Sequence, residues 1–175
     1  GKEAGVELLM GVELNILNTT GKVDLEEKAL RSVDYAIASL HDPCLNPGTA
    51  LDNTAASMSA MWIPQVKIIG HPDNPVFPVD FDQIAKAAAE RHVLLECNNS
   101  SYRPGGSRAG SRDLAKKMLQ ACKKYGTHVI MGSDAHIDLD VGNHALSEEV
   151  IREADFPEEL VINSSPEKFK EWIRA

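Results

Sequence analysis

Val129-Ile130-Met131-Gly132-Ser133-Asp134-Ala135-His136 is an apolar run that stops in a carboxylate and an imidazole two residues apart. In extended chain, residues i and i+2 point the same way, so Asp134 and His136 are expected to reach into one cleft. The small neighbours Gly132, Ser133 and Ala135 leave room there for ions. The competing reading is a loop aspartate that caps the next helix beside a surface histidine. Three other apolar runs stop in the same way: Gly11-Val12-Glu13, Ile37-Ala38-Ser39-Leu40-His41 and Ile68-Ile69-Gly70-His71. Four such endings describe parallel strands that deliver ligands to one rim of a sheet or barrel, where α/β enzymes place their chemistry.

Singly, each residue has a plainer explanation. His71 precedes Pro72 and His41 precedes Asp42-Pro43, so both sit at strand ends biased away from helix. Either one alone is equally a hydrogen-bonded loop histidine. Glu13 lies between Val12 and Leu14, so it either faces solvent or, if buried, needs a partner for its charge. Together they form the donor set of a borderline divalent cation such as zinc or manganese. A carboxylate can bridge two cations while imidazoles and a second carboxylate complete their shells, which suits two- or three-metal phosphoester cleavage. The expectation is a metal-dependent hydrolase.

Working outward, strand-like and helix-like segments alternate, as in a parallel α/β fold. The expected strands are Val6–Ile16, Tyr35–Leu40, Val66–Gly70, Val93–Cys97, Val129–Met131 and a short Val161–Asn163. Asp24 is expected to cap a short helix over Leu25–Ser32, Asp52 a helix through Trp62, and Asp80 a helix over Phe81–Arg91. Ser111–Tyr125 ends at Gly126, a left-handed cap. Ser147–Ala154 and Pro166–Ile173 close the chain, the latter with proline in its first turn. Residues 1–175 read as a single domain without repeats or linkers.

The 175 residues carry a formal charge of −8, which argues against sequence-independent binding to nucleic acid or an anionic membrane. A phosphorylated substrate stays possible, because cations in a cleft invert the local field. Cys44, Cys97 and Cys122 are widely spaced and read as free thiols of a reducing compartment. No apolar run approaches the ~20 residues of a membrane span. Gly1-Lys2-Glu3-Ala4-Gly5 lacks the apolar stretch of a secretory signal. The expected location is cytoplasmic.

The motifs Gly11-Val12-Glu13-Leu14-Asn15, Leu40-His41-Asp42-Pro43, Gly70-His71-Pro72-Asp73-Asn74-Pro75, Glu96-Cys97-Asn98-Asn99-Ser100-Ser101, Gly132-Ser133-Asp134-Ala135-His136 and Asn163-Ser164-Ser165-Pro166 run in order through most of the chain. In this they resemble the polymerase-and-histidinol-phosphatase (PHP) family of metal-dependent phosphoesterases, most closely its small bacterial YcdX-like members. The resemblance implies a distorted (β/α)7 barrel with three divalent ions, zinc or manganese and otherwise iron or magnesium, at the C-terminal ends of its strands. By that analogy Glu13 bridges two metals, His41 and His71 complete one, Asp134 belongs to another and His136 to the third. Glu13 and Asp134 would be the catalytic carboxylates, and a metal-activated water would attack phosphorus in a small phosphorylated substrate.

The family opens with a His-x-His strand, further histidines and a Thr-Asp-His turn, and nothing here matches them. The expectation is an incomplete barrel whose first two β/α units are missing, with weakened metal affinity. Its open strand edges would invite self-association or pairing with the missing N-terminal segment.

Several residues stand beside this reading. In the polar loop Asn98–Arg108, Asn98 and Arg103 are the favoured substrate contacts, with Arg108 and the glycine-rich backbone as further phosphate donors. His92 and His128 lie at the opposite end of the strands and read as structural, and His144 as a solvated loop residue. Two other function classes compete with this one. A metal-dependent amidohydrolase-like barrel would want a bridging lysine at a strand end, and no lysine is so placed. A non-catalytic metal-binding or accessory module of the same fold is the third.

Overall fold

The computed structural model describes Gly5 and residues 7–175. Five strands, β1 (Gly11–Asn15), β2 (Tyr35–Ser39), β3 (Val66–Ile69), β4 (Leu94–Asn98) and β5 (Val129–Gly132), form one all-parallel sheet in the order β1-β2-β3-β4-β5. Each crossover carries a helix: α1 (Glu27–Leu30), α2 (Ala50–Ala60), α3 (Phe81–Arg91) and α4 (Ser111–Tyr125). Helices α5 (Ala145–Glu153) and α6 (Pro166–Arg174) follow the last strand.

Period-two alternation sorts the strand residues onto two faces. Leu14, Ala36, Ala38, Ile69, Leu95, Cys97 and Val129 face the main core, where they meet Ala56, Ile84, Ala88, Met118, Leu119 and Val150 of the helices. Tyr35, Ile37, Ile68, Leu94 and Ile130 form a smaller apolar layer on the other face, closed by Ile162 and by Phe169 and Trp172 of α6. Farther along that second face, toward the C-terminal strand ends, the same alternation sets Glu13, Ser39, Glu96 and Asn98. The fold thus carries a polar rim directly above an apolar floor.

Local chemistry fixes the helix ends. Asp80 caps α3 by accepting from Gln83 N, and Gly126 ends α4 at φ 67°, a conformation glycine adopts without a Cβ penalty. Ser165 caps α6, with Pro166 at its first turn.

Several expected boundaries are corrected. The strand expected over Val6–Ile16 pairs only from Gly11, because its partner β2 begins at Tyr35 and gives earlier residues no ladder; Val6 lies outside the described residues. Asp24 does not cap α1, whose N-cap Glu26 makes no side-chain bond; both Asp24 oxygens are taken by Asn15 instead. Thr49 rather than Asp52 caps α2, and Asp52 returns the bond as the third helical residue of a capping box. Val161–Asn163 is a single bridge, Val129 to Val161, that runs into a 3-10 turn over Ile162–Ser164, so among the described residues the sheet has five strands and not six. Asn99–Tyr102 is likewise a 3-10 turn, with Asn99, Ser101 and Tyr102 buried rather than solvated.

Candidate metal centre

Three strand ends converge. Glu13 comes from β1, His41 from just beyond β2 and His71 from just beyond β3, and one ligand atom from each lies within 4.8 Å of the others. Glu13 Oε1 is 3.4 Å from both His41 Nε2 and His71 Nε2, and the two nitrogens are 3.1 Å apart. Ser39 Oγ donates to Glu13 Oε1 at 2.7 Å. The backbone builds this closeness. Gly70 has no side chain because a Cβ there would overlap Ser39 Oγ, and His71 adopts φ 31°, outside the usual range for a non-glycine residue, directly before Pro72.

The electrostatics agree with a cation site. Hydrogen bonding from His41, then from His71, holds the Glu13 carboxyl well below the usual carboxylate range. A carboxylate oxygen and two imidazole nitrogens this close are all lone-pair bearers, and only a shared proton or a cation makes the arrangement favourable. Two imidazoles and a carboxylate are also the ligand chemistry of zinc and its neighbours. The residues present fit a divalent ion.

Glu96 is a site residue that sequence reasoning passed over as a ligand candidate. It is 7% exposed, and its Oε2 accepts from His71 N at 2.9 Å and from Asn98 Nδ2 at 3.4 Å. Burial raises its carboxyl above the ordinary value. Its signal was present: Leu94-Leu95-Glu96-Cys97-Asn98 is a fifth apolar run ending in polar groups, with Glu96 and Asn98 two apart on one face. Gly132 makes room for this carboxylate, since a Cβ there would overlap Glu96 Oε1. The space around Gly132 expected to hold ions is thus taken by Glu96.

The remaining expected site residues fall around this centre. Asp134 Oδ2 accepts from Asn98 Nδ2 at 3.2 Å and from Arg108 Nη1 at 3.4 Å, which ties it through Asn98 to Glu96 rather than into the three-ligand cluster. The i, i+2 argument for Asp134 and His136 does not apply, because β5 ends at Gly132 and Asp134 turns at φ 49°. The His136 side chain is 85% exposed, its Nδ1 3.0 Å from Asp134 O. Arg103 pairs with Asp140 at 2.8 Å, whereas Arg108 lies at the rim, donating to Ser101 Oγ at 3.0 Å as well as to Asp134. His92 and His128 flank Trp172 under the sheet, at ring-centroid distances of 3.6 and 4.7 Å. A cavity of about 1000 Å³, lined in part by Leu17, Leu25, Leu30 and Trp62, contains none of the three ligands.

No family model matches the chain. It is 44% identical over 170 residues to a probable phosphatase of Clostridium acetobutylicum, an alignment that covers 97% of this chain and 69% of that protein. Identity is 40% over 171 residues to a probable phosphatase of Clostridium novyi, covering 98% and 69%. It is 42% over 170 residues to one of Caldicellulosiruptor saccharolyticus, covering 97% and 70%. Among solved structures, the histidinol phosphate phosphatase of Lactococcus lactis, crystallised with zinc, L-histidinol and phosphate, superposes with a TM-score of 0.52 at 16% identity. That match covers 74% of this chain and 60% of the other and establishes likeness of fold. Among the described residues, no helix is long and apolar enough to cross a membrane. With over two fifths of its residues shared across almost its whole length, the chain belongs to the family of these probable phosphatases.

Proposed function

We propose that this chain is the C-terminal portion of a PHP-type, YcdX-like barrel, a single domain whose first two β/α units precede it, and that the whole hydrolyses phosphoric monoesters. The observation that carries this reading is the convergence of Glu13, His41 and His71 within 4.8 Å at one sheet rim. Glu13, His41 and His71 would hold divalent ions, with Asp134 and His136 supplying further shells together with ligands from the preceding units. The relatives' name, and the zinc and phosphate complexed in the histidinol phosphate phosphatase structure, support zinc or manganese as the metal and a small phosphorylated molecule as the substrate. When bound, such ions would activate water and neutralise charge on the phosphoryl oxygens.

The chain's own residues have separable tasks. Glu13, ionised far below neutral pH, supplies the negative charge that a cation pair requires. Ser39 fixes the carboxylate through its hydroxyl, and Glu96 fixes the His71 backbone. Arg108, beside Asp134 and only partly exposed, is placed to meet a phosphoryl oxygen as a charge-assisted donor. Arg103, held by Asp140, is the less suited of the two arginines.

Protein expressed from the full coding sequence tests the proposal by its hydrolysis of an aryl phosphate. Activity that is lost on chelation, restored by zinc or manganese and abolished by Asp134→Ala is the expected result. A protein that binds these metals but shows no metal-dependent phosphatase activity at any pH is a metal-binding module instead.

A further inference from the structure

The metal-centre reading assigns no part to Asn15 or Asp24, yet both are spent on His41. The chain reverses after β1: Ile16 bridges Val23 in antiparallel fashion, Leu17 N donates to Lys22 O at 2.7 Å, and Gly21 turns at φ 75°. That reversal brings Asp24 back alongside Asn15. Asp24 Oδ1 accepts from Asn15 N at 3.0 Å and Asp24 Oδ2 from Asn15 Nδ2 at 2.5 Å. On the other side, Asn15 Oδ1 lies 2.6 Å from His41 Nδ1.

From this chain of contacts we infer that Asp24 sets the tautomer of His41 through Asn15. An ionised carboxylate only accepts, so the amide turns its NH2 group to Asp24 and its oxygen to His41. The opposite orientation would press the amide oxygen against the carboxylate. An amide oxygen also only accepts, so in the neutral ring His41 Nδ1 carries the hydrogen and Nε2 is left bare; the His41 hydrogen bond to Glu13 belongs to the ring carrying hydrogen on both nitrogens. Nε2 is the atom that faces Glu13 Oε1 and His71 Nε2. Asn15 and Asp24 are therefore positioning residues, and this role rests on the reading of His41 as a cation ligand. It also accounts for the Asp24 carboxylate being unavailable to cap α1.

Imidazole nitrogen and proton correlations in the metal-free chain, recorded at about pH 9 where imidazoles are neutral, read the tautomer, and competition experiments with zinc read affinity. The wild type is expected to show His41 protonated on Nδ1. Asn15→Ala should mix the tautomers and weaken zinc binding roughly 10–100-fold with all three ligands intact. The swapped pair Asn15→Asp with Asp24→Asn keeps an acceptor for His41 and a donor across the link, so it should restore both readouts. Should Asn15→Ala fail to fold, the wild-type spectrum and the swap decide. A wild-type His41 protonated on Nε2 overturns the inference. So does an Asn15→Ala protein unchanged in tautomer and zinc affinity. An Nδ1-protonated wild type that binds no zinc upholds the link and defeats the cation reading instead.

Discussion

Replacing Gly132 by alanine puts a Cβ into the space occupied by the Glu96 carboxylate, overlapping Oε1 and lying 3.0 Å from Cδ. Glu96 is buried with His71 N and Asn98 Nδ2 on its other oxygen, so it has two ways to yield. If it rotates away, the 2.9 Å bond to His71 N is lost and a buried N–H is left without an acceptor, which costs about 1–3 kcal/mol. If it stays, β4 and β5 separate locally, at an overpacking cost of about 1–3 kcal/mol. The expected destabilisation is about 2–3 kcal/mol, a fall in Tm of roughly 4–12 °C for a domain of this size. Guanidinium unfolding of the wild type, Gly132→Ala, Glu96→Ala and the double variant measures it as a cycle. In the Glu96→Ala background the clash is gone, and Gly132→Ala should be neutral or slightly stabilising through the unfolded state. An equal cost in both backgrounds, or a Gly132→Ala protein within about 0.5 kcal/mol of wild type, would refute the claim that Gly132 exists to seat Glu96.

Three further outcomes are expected. Burial lifts the Asp73 carboxyl to about 7, above its unfolded value near ~4. Between those values the folded protein binds more protons than the unfolded chain, so this group's contribution to stability is full below about pH 4 and lost as pH rises toward 7. Asp73→Asn, which keeps an acceptor for Tyr102 OH, should remove that slope, and unfolding curves at pH 4 to 8 should show a wild-type loss of up to about 4 kcal/mol relative to the variant. Thr49→Ala should cost about 1 kcal/mol by removing the α2 capping box, read as a lower denaturant midpoint at unchanged slope. Val161 and Asn163 cover the outer edge of β5, but β1 stands at the other end of the strand order, so the isolated chain should associate through β1, with a mass by light scattering that rises with concentration; a monomer throughout would count against it.

What was legible in the sequence follows from how local each signal is. The α3 cap at Asp80 and the α4 stop at Gly126 depend on residues a few positions apart, and both elements appear with the expected bounds. Asp24 and Asp52 had the right chemistry for caps, but tertiary partners decided their use: Asn15 took one, and Thr49 held the cap position before the other. The grouping of Glu13, His41 and His71 was readable because each ends an apolar run, and parallel strands put such ends together. His136 was read through a strand period that β5 does not sustain past Gly132. Glu96 carried the same strand-end signal as Glu13, but its task was not written there. Within Leu94-Leu95-Glu96-Cys97, nothing local distinguishes a carboxylate that props a backbone 25 residues away from one that ligates.

Metal binding by the three converging side chains is the central property proposed for this rim. Cobalt(II) or zinc titration of the wild type beside Glu13→Ala, His41→Ala and His71→Ala measures it. Saturable binding in the wild type, weakened more than about tenfold in each variant, is the predicted result. Equal affinity in all four proteins, or no binding in any, would contradict the assignment of this rim as a metal centre.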